Sequence, residues 1–167
     1  MSHRRPPRLP DDCYVGPQRV FLTMCTFKRQ EYFADPAIGQ RVQAQLLSTA
    51  ARWEVELVAY CLMPDHLHAL LEGRTARANC RKCADVFRRR SGLDFRRREG
   101  TRLWQEGYFD RVLRNEEATV DVVGYIVLNP MKAGLCADPR DYLLSGSARY
   151  DVSELLTASL WNPRSLG

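Results

Sequence analysis

The sequence predicts an α+β fold in which helices pack on an antiparallel β-sheet. Strand-like and helix-like segments follow one another in the order β-α-β-β-α-β-α along the 167 residues. The two strands in the middle are joined by a tight turn at Pro64-Asp65, which makes them a hairpin and therefore antiparallel. A chain of this length is sufficient for one domain with its own core. This order of elements indicates a ferredoxin-like α+β sandwich.

The N-terminal part of the chain predicts an arm, a strand and a helix. Residues 1–18 are rich in Pro and Arg, which favours a basic flexible arm. The β-branched and aromatic segment from Val20 to Phe27 predicts a strand. Asp35 is a good N-cap and Pro36 suits a first helical turn, so a helix is expected to about Arg52.

The central hairpin carries two histidines. Residues 53–63 are largely apolar, as expected of a central strand, and residues 66–72 form its partner beyond the turn. Side chains at i and i+2 of a strand point to the same face, so His66 and His68 are expected side by side. Two imidazoles on a stiff strand favour a divalent metal ion. The alternative is a half-buried strand whose two histidines form ordinary hydrogen bonds.

A very basic helix is expected after the hairpin. It should run from Ala76 to Arg90, with Ser91-Gly92 ending it. Arg96 to Gly100 is then expected as a charged loop. Short strand segments are predicted at Leu103–Gln105 and Phe109–Arg114, and they supply the last strand of the sheet.

The last long helix begins with Asn115 as its N-cap, and two acids follow in the first turn, where they favour the helix dipole. We expect the helix to run to about Leu128, where Asn129-Pro130 closes it. The chain beyond Gly134 is rich in turns. One further short helix is expected there, from Val152 to Ser159.

The net charge of +5 and the pI near 9.0 come largely from two clusters of basic residues. Between residues 74 and 102, eleven Arg and Lys stand against three acids, and the first 30 residues contain six against two. Clustered positive charge favours a polyanionic partner, with nucleic acid first. The alternative is a solvated helix face and a disordered arm.

Two features of the composition bear on the compartment. No apolar run is long enough to cross a membrane, and no signal peptide is recognisable at the N-terminus. We therefore expect a cytoplasmic protein without a membrane partner. Its six cysteines are expected to be reduced thiols.

The last long helix places Tyr125 and Asn129 at i and i+4, on one face and one turn apart. A phenol and a carboxamide in this arrangement suit a nucleophile and an oxygen ligand for a hard cation. The alternative is a tyrosine packed between helix and sheet and an asparagine that caps the helix. Spacing alone leaves both open.

The pair Cys80-x-x-Cys83 has its own two interpretations. Together with His66 and His68 it would form a Cys₂His₂ zinc site in a structural module. A single such pair on an amphipathic helix is more often two small residues near a core.

Three segments, in this order, resemble the signatures of one family. They are residues 63–68 (MPDHLH), 104–114 (WQEGYFDRVLR) and 125–135 (YIVLNPMKAGL). The chain resembles the single-tyrosine HUH transposases, specifically the REP-associated tyrosine transposase branch, from about Tyr14 to Ser147. The resemblance implies a ferredoxin-like core of the HUH endonuclease type. It makes residues 19–147 the catalytic domain and residues 148–167 a C-terminal tail.

The resemblance also implies an activity, that of a metal-dependent nickase and strand transferase for single-stranded DNA. His66 and His68 would hold the divalent metal, Mg²⁺ or Mn²⁺, and Asn129 would complete its site. Tyr125 would be the nucleophile, which leaves a 5′-phosphotyrosine intermediate. The family's substrates are imperfect palindromes that fold as hairpins beside a short single-stranded guide sequence.

Basic residues outside this site are expected to bind DNA through its phosphates. Arg111 and Arg114 lie in a matched segment, with salt bridges to Asp110 or Glu116 as the alternative. The full set of expected DNA-binding residues is Arg4, Arg5, Lys82, Arg88, Arg89, Arg90, Arg111 and Arg114.

A second functional class is a protein that binds the same hairpins without cleaving them. The presence of the histidine pair together with Tyr125 and Asn129 favours the nuclease. We expect a monomer, with a dimer still open.

Overall fold

A five-stranded antiparallel sheet organises the molecule. The structure, a computed structural model, describes residues 8–160, without the side chains of Glu117 and Leu160. The strand order is β4-β1-β3-β2-β5. The strands are β1 (Arg19–Cys25), β2 (Val55–Met63), β3 (His66–Gly73), β4 (Phe109–Leu113) and β5 (Ser145–Gly146). The predicted ferredoxin-like α+β fold is therefore confirmed, with β5 as an added strand at the β2 edge.

Helices cover both faces of the sheet. They are α1 (Pro36–Arg52), α2 (Cys80–Glu99), α3 (Glu116–Lys132) and α4 (Val152–Leu160). On one face Leu46 of α1 and Phe87 of α2 share a buried cluster with Leu67 of β3. On the other face Ile126 of α3 packs in a second cluster with Leu70 of β3. Alternate residues of β3 therefore enter two different cores. No helix in the described part of the chain is long and apolar enough to span a membrane.

Local sequence signals set α1 and the central hairpin as predicted. The Asp35 carboxylate accepts a hydrogen bond from Ala37 N at 2.9 Å, which caps the first turn of α1. Strands β2 and β3 pair Met63 with His66 across the two-residue turn Pro64-Asp65. Both predictions are confirmed.

Helix α2 is displaced and longer than predicted. It begins at Cys80, after the N-cap Asn79, and continues through Ser91-Gly92 to Glu99. The expected end at Ser91 and the charged loop at residues 96–100 are therefore wrong. Ser91 does not break the helix because its hydroxyl donates back to Phe87 O at 2.7 Å and accepts from Trp104 Nε1 at 2.9 Å. The helix ends instead at Gly100, whose φ of 72° is left-handed.

Helix α3 also passes a predicted stop signal. Asn115 caps it as expected, accepting from Ala118 N at 2.7 Å. The expected end at Asn129-Pro130 is wrong, because the helix continues to Lys132 and its C-cap is Ala133. Proline at this point near the C-terminus removes only one backbone hydrogen bond, and Ala133 N donates to Asn129 O at 3.0 Å one turn later. Asn129 therefore lies inside the last turns of the helix.

The described part of the N-terminal segment is attached to the core. Residues 11–14 form a 3-10 turn, and Tyr14 is buried, where its hydroxyl donates to Asp110. Arg8 lies 3.7 Å from the same carboxylate and stacks over the ring of Tyr108. Composition suggested an irregular arm because one buried tyrosine does not alter an Arg- and Pro-rich pattern. Residues 1–7, which include the expected DNA-binding Arg4 and Arg5, lie outside the described residues.

The C-terminal segment packs on the sheet and on α3. The short strand β5 pairs Ser145 with Cys61 of β2 and was not predicted, since two residues give no periodic pattern. The short helix expected from Val152 is confirmed as α4. It approaches α3 closely at Gly124, where an added Cβ would lie 3.0 Å from Ser159 Cβ.

Candidate active site

The register of the sheet brings the histidines to one face, beneath α3. Thr23 of β1 pairs with His68 on one side and with Phe109 of β4 on the other, so the three residues form one row across the sheet. The neighbouring row on this face contains His66. The face is that of the α3 core, because Leu70, two residues after His68, belongs to that cluster.

The two imidazoles converge through the same type of nitrogen. His66 Nε2 and His68 Nε2 are 3.0 Å apart. Asp65 Oδ1 lies 2.6 Å from His66 Nδ1, and Thr23 Oγ1 lies 2.8 Å from His68 Nδ1. Partners on both Nδ1 atoms fix the ring orientations and leave the two Nε2 atoms facing a common point.

A second contact holds Asp65 in place. Arg29 Nε lies 2.8 Å from Asp65 Oδ2, opposite the oxygen that contacts His66. Arg29 and Lys28 both adopt left-handed backbone conformations, with φ of 57° and 54°. Such conformations cost non-glycine residues on the order of 1 kcal/mol each, and they are found where the surrounding structure imposes them. The loop after β1 is thereby tied to the histidine pair.

Burial keeps His68 neutral. Its side chain is almost completely buried, and this desolvation lowers the pKa of His68 to about 3, with a smaller contribution from the neighbouring His66. At neutral pH the imidazole is therefore uncharged, and one of its two ring nitrogens has a free lone pair. This is the protonation state that a metal ligand requires.

The pair fits a divalent cation in geometry. Two imidazole nitrogens at right angles, each about 2.1 Å from one ion, are about 3.0 Å apart. The observed Nε2–Nε2 separation is 3.0 Å. In the described residues no group of three His, Cys, Asp or Glu side chains comes together.

Tyr125 of α3 lies directly over the histidines. Its hydroxyl oxygen is 3.4 Å from His68 Nε2, and the two ring centroids are 5.1 Å apart. The side chain is 48% exposed, so a substrate can reach the phenol. Asn129, one turn later, is partly exposed. Because the C-cap of α3 is Ala133, the alternative interpretation of Asn129 as the helix cap is wrong.

The basic surface of α2 is divided between two sides. Arg88, whose Nη2 donates to Gln105 O at 2.6 Å, lines a cavity of about 210 Å³ together with Arg89, Arg96 and Arg102. The apolar part of that lining comes from Leu93, Leu103 and Trp104. Arg90 turns away from the cavity, because its Nη1 donates to Thr49 Oγ1 of α1 at 3.0 Å. Lys82 is exposed in the first turn of α2.

The alternative interpretation of Arg111 and Arg114 was that they form salt bridges with Asp110 or Glu116, but both acids have other partners. Asp110 accepts from Tyr14 and lies near Arg8, whereas Glu116 pairs with Arg19. Arg111 and Arg114 are both exposed.

The cysteine pair lies on the opposite side of the sheet from the histidines. Cys80 and Cys83 are buried in the α1–α2 core, and burial raises the pKa of each thiol to about 12. The sheet separates them from His66 and His68, so the zinc-site interpretation is wrong. They are small core residues.

Sequence reasoning did not find the residues that orient the histidines. Thr23 and Arg29 come from β1 and the loop after it, and Asp65 was interpreted only as a turn residue. The alternation of β1 puts Thr23 and Phe21 on one face, which is a usable signal. That signal does not give the register with β3, which pairs residues about 45 positions apart in sequence.

Solved structures share this fold. The structure described as "the REP associates tyrosine transposase bound to a REP hairpin" matches with a TM-score of 0.66 and 20% identity, covering 87% of this chain and 82% of that one. A candidate transposase from Deinococcus radiodurans R1 matches with a TM-score of 0.51 and 22% identity, covering 68% of this chain and 91% of that one. The fold is thus one that transposases use.

The family follows from the sequence. The profile described as "Transposase IS200 like" matches residues 18–128. The chain therefore belongs to the IS200-like transposase family, which confirms the resemblance drawn from the three motifs. An uncharacterized protein of Haemophilus influenzae is 24% identical in an alignment 163 positions long, and the alignment covers 78% of this chain and 90% of that protein.

Proposed function

We propose that this protein is a metal-dependent nickase and strand transferase for single-stranded DNA, with Tyr125 as the nucleophile. The observation that carries the proposal is the position of the phenol, 3.4 Å from the Nε2 atom of His68, which itself faces His66 Nε2 at 3.0 Å. A phosphate that contacts the phenol is then also close to any cation held by the imidazoles. Family membership supports a transposase role for this arrangement.

The proposed reaction is a transesterification at phosphorus. The Tyr125 oxygen forms a bond to the phosphorus, and the bond between the phosphorus and the 3′-oxygen breaks. The phenolic proton passes to water, which reaches it because the side chain is half exposed, and the departing oxygen takes up a proton to become a 3′-OH. The number of ester bonds is unchanged. The reverse attack by another 3′-OH therefore rejoins DNA without a nucleotide cofactor.

The imidazole pair suits Mg²⁺ or Mn²⁺, and Asn129 is the proposed third protein ligand. When bound, such a cation supplies positive charge to the phosphate oxygens during in-line displacement. Asp65 and Thr23 engage the two Nδ1 atoms and orient both Nε2 atoms toward the position that such an ion would take. His68 is neutral at physiological pH and would bind the ion without first losing a charge-bearing proton.

The α2 cavity is the proposed path for the DNA strand. Arg102 lies over the ring of Phe27, at 5.2 Å from its centroid. Arg29, two residues after Phe27, contacts Asp65 of the site. Basic groups therefore extend from the histidine pair, through the loop that follows β1 at the end of the sheet, to the cavity of Arg88 and Arg89 on the α2 side. Arg90 is less suited than expected, since it is engaged with Thr49.

The proposed substrates are palindromic sequences that fold as hairpins in single-stranded DNA. A structural neighbour is bound to a REP hairpin, which supports this choice. A cytoplasmic location and a monomeric state agree with this proposal and remain predictions.

A covalent adduct assay tests the chemistry. Labelled single-stranded palindromic DNA is incubated with the protein and Mn²⁺ or Mg²⁺, and the products are separated after denaturation. We expect a protein–DNA adduct with the wild type, none with Tyr125→Phe, and an unchanged yield with Tyr150→Phe, a control tyrosine of similar exposure. An adduct that persists in Tyr125→Phe would overturn the assignment of the nucleophile.

The role of the histidines is tested separately by binding. His66→Ala should abolish the adduct and leave hairpin affinity within about twofold, because phosphate contacts elsewhere supply most of the affinity. Loss of both properties together would mean that His66 is structural. A wild type that binds hairpins and never forms an adduct would instead be a non-cleaving hairpin-binding protein.

A further inference from the structure

The sheet face that carries the histidines continues onto the edge strand β4, where a second aromatic side chain is open to solvent. Phe109 is 46% exposed, nearly as much as Tyr125. Phe21 lies between them, with its ring centroid 6.3 Å from that of Phe109 and 6.2 Å from that of Tyr125. Its ring also stacks on His68 at 5.7 Å. An aromatic surface therefore extends from the phenol to the edge of the sheet.

A positive charge borders this surface. In the register of β1 and β4, Phe21 is paired with Arg111 and Thr23 with Phe109, so all four residues share the face of the histidine pair. Arg111 is exposed. Strand β4 thus presents an aromatic ring and a guanidinium at successive positions of one face, about 7 Å apart along the strand.

The opposite face of β4 is held firmly. Asp110 accepts from the Tyr14 hydroxyl, and Tyr108, just before the strand, donates to Asp85 Oδ1 at 2.7 Å. The edge strand is therefore fixed to both the N-terminal turn and α2. Single exposed apolar side chains are common on protein surfaces. Phe109 differs because it is held on a fixed strand and only the ring of Phe21 lies between it and the candidate nucleophile Tyr125.

We propose that Phe109, backed by Phe21, is a stacking site for one unpaired nucleobase next to the scissile phosphate, and that Arg111 binds a phosphate of the same strand. The proposal rests on the proposed function, because it concerns the DNA strand at that site. An unpaired base fits this surface since only an unstacked base offers its whole face to an aromatic side chain. Stacking of this kind accepts every base, so the site orients the strand and does not read its sequence.

A binding cycle between protein and DNA tests the site. All proteins carry Tyr125→Phe, which keeps the ring and prevents cleavage. The probe is a fluorescent DNA hairpin with a single-stranded thymidine flank of about ten nucleotides on each side. In a parallel series of probes, each flank position in turn is abasic. The affinity for each probe is measured by fluorescence anisotropy with the protein that keeps Phe109 and with the Phe109→Leu variant. This variant keeps an apolar side chain and removes the ring.

We expect Phe109→Leu to weaken binding of the intact probe by about fivefold or more. At one flank position the abasic probe should bind both proteins equally, because the base that stacks on Phe109 is missing there. Tyr150→Leu, which removes an aromatic ring of similar exposure elsewhere, should leave all affinities unchanged. Thermal melting of each variant verifies folding.

Two results would overturn the site. One is an equal effect of Phe109→Leu on every abasic probe, which would indicate a general loss of apolar surface. The other is no effect on the intact probe. Both results are binding measurements and do not depend on cleavage. If the adduct assay fails while the affinities follow the expected pattern, the proposed chemistry is rejected and the nucleobase site is supported.

Discussion

Thr23 is the residue that most directly determines how His68 faces its neighbours. Its hydroxyl lies 2.8 Å from His68 Nδ1, on the side of the ring opposite His66 and Tyr125. A hydrogen-bond partner at this nitrogen fixes the rotation of the imidazole. Asp65 does the same for His66. The candidate site therefore depends on two side chains that would touch neither metal nor substrate.

Replacing Thr23 with valine should weaken metal binding without unfolding the protein. Valine has nearly the same shape and removes the hydroxyl that engages His68. We expect the affinity for Mn²⁺, measured by isothermal titration calorimetry, to fall by about tenfold or more. Thr157→Val, at an exposed position of α4, is the control and should bind Mn²⁺ normally. An unchanged affinity in Thr23→Val would show that His68 is oriented by other contacts.

Sequence reasoning reached the side chains that carry chemistry and missed those that position them. The spacing of His66 and His68 places them on one face by strand geometry alone. Tyr125 is found through its motif and its helical position. The role of Thr23 cannot be predicted from spacing or from a motif, because its contact with His68 depends on a strand register set by the whole sheet.

At the scale of elements, α2 shows how a tertiary contact overrides a local stop signal. Ser91-Gly92 is a pair typical of helix ends, yet α2 continues through it for two more turns. The hydroxyl of Ser91 accepts the indole N–H of Trp104, which would otherwise be buried without a partner. In contrast, α1 was predicted correctly because Asp35 and Pro36 act within its first turn.

Ser91→Ala should destabilise the protein through Trp104. The substitution suits a helix, but it leaves the buried indole N–H unsatisfied, at a cost of about 1–3 kcal/mol. The free energy of unfolding in urea measures this loss. Ser153→Ala, at an exposed position of α4, should change it by less than about 0.5 kcal/mol. If Ser91→Ala is as stable as the wild type, the hydrogen bond to Trp104 does not hold α2 in its extended form.

At the scale of the whole molecule, ion pairs divide the basic residues into those that are already neutralised by an acid and those that are not. Arg41 and Arg98 pair with acids of α2, and Arg19 bridges Glu72 and Glu116. Around the α2 cavity, Arg89, Arg96 and Arg102 form no ion pair with a described residue. The net charge predicted a polyanionic partner, but only the fold shows which guanidiniums remain available to it.

Removing an arginine that forms no ion pair with a described residue should change the salt dependence of DNA binding. Arg102→Ala is expected to lower the slope of log K against log salt concentration by about 0.7 to 1, the effect of one lost phosphate contact. Arg98→Ala, which removes a guanidinium paired with Asp94, should leave the slope nearly unchanged. Binding of a single-stranded hairpin probe at several salt concentrations measures both. Equal slopes for wild type and Arg102→Ala would place the DNA away from the cavity.

The row of Phe109, Thr23 and His68 across three strands links the assembly of the candidate site to the pairing of the sheet. A slip of β1 by a single residue would turn Thr23 and Phe21 to the other face of the sheet and leave His68 without the hydroxyl that orients it. Correct pairing of the sheet and assembly of the candidate site are therefore one event. A copy of the chain with β1 in the wrong register would carry His66, His68 and Tyr125 without the contact that orients His68, so the site is expected to form only in the correctly folded protein.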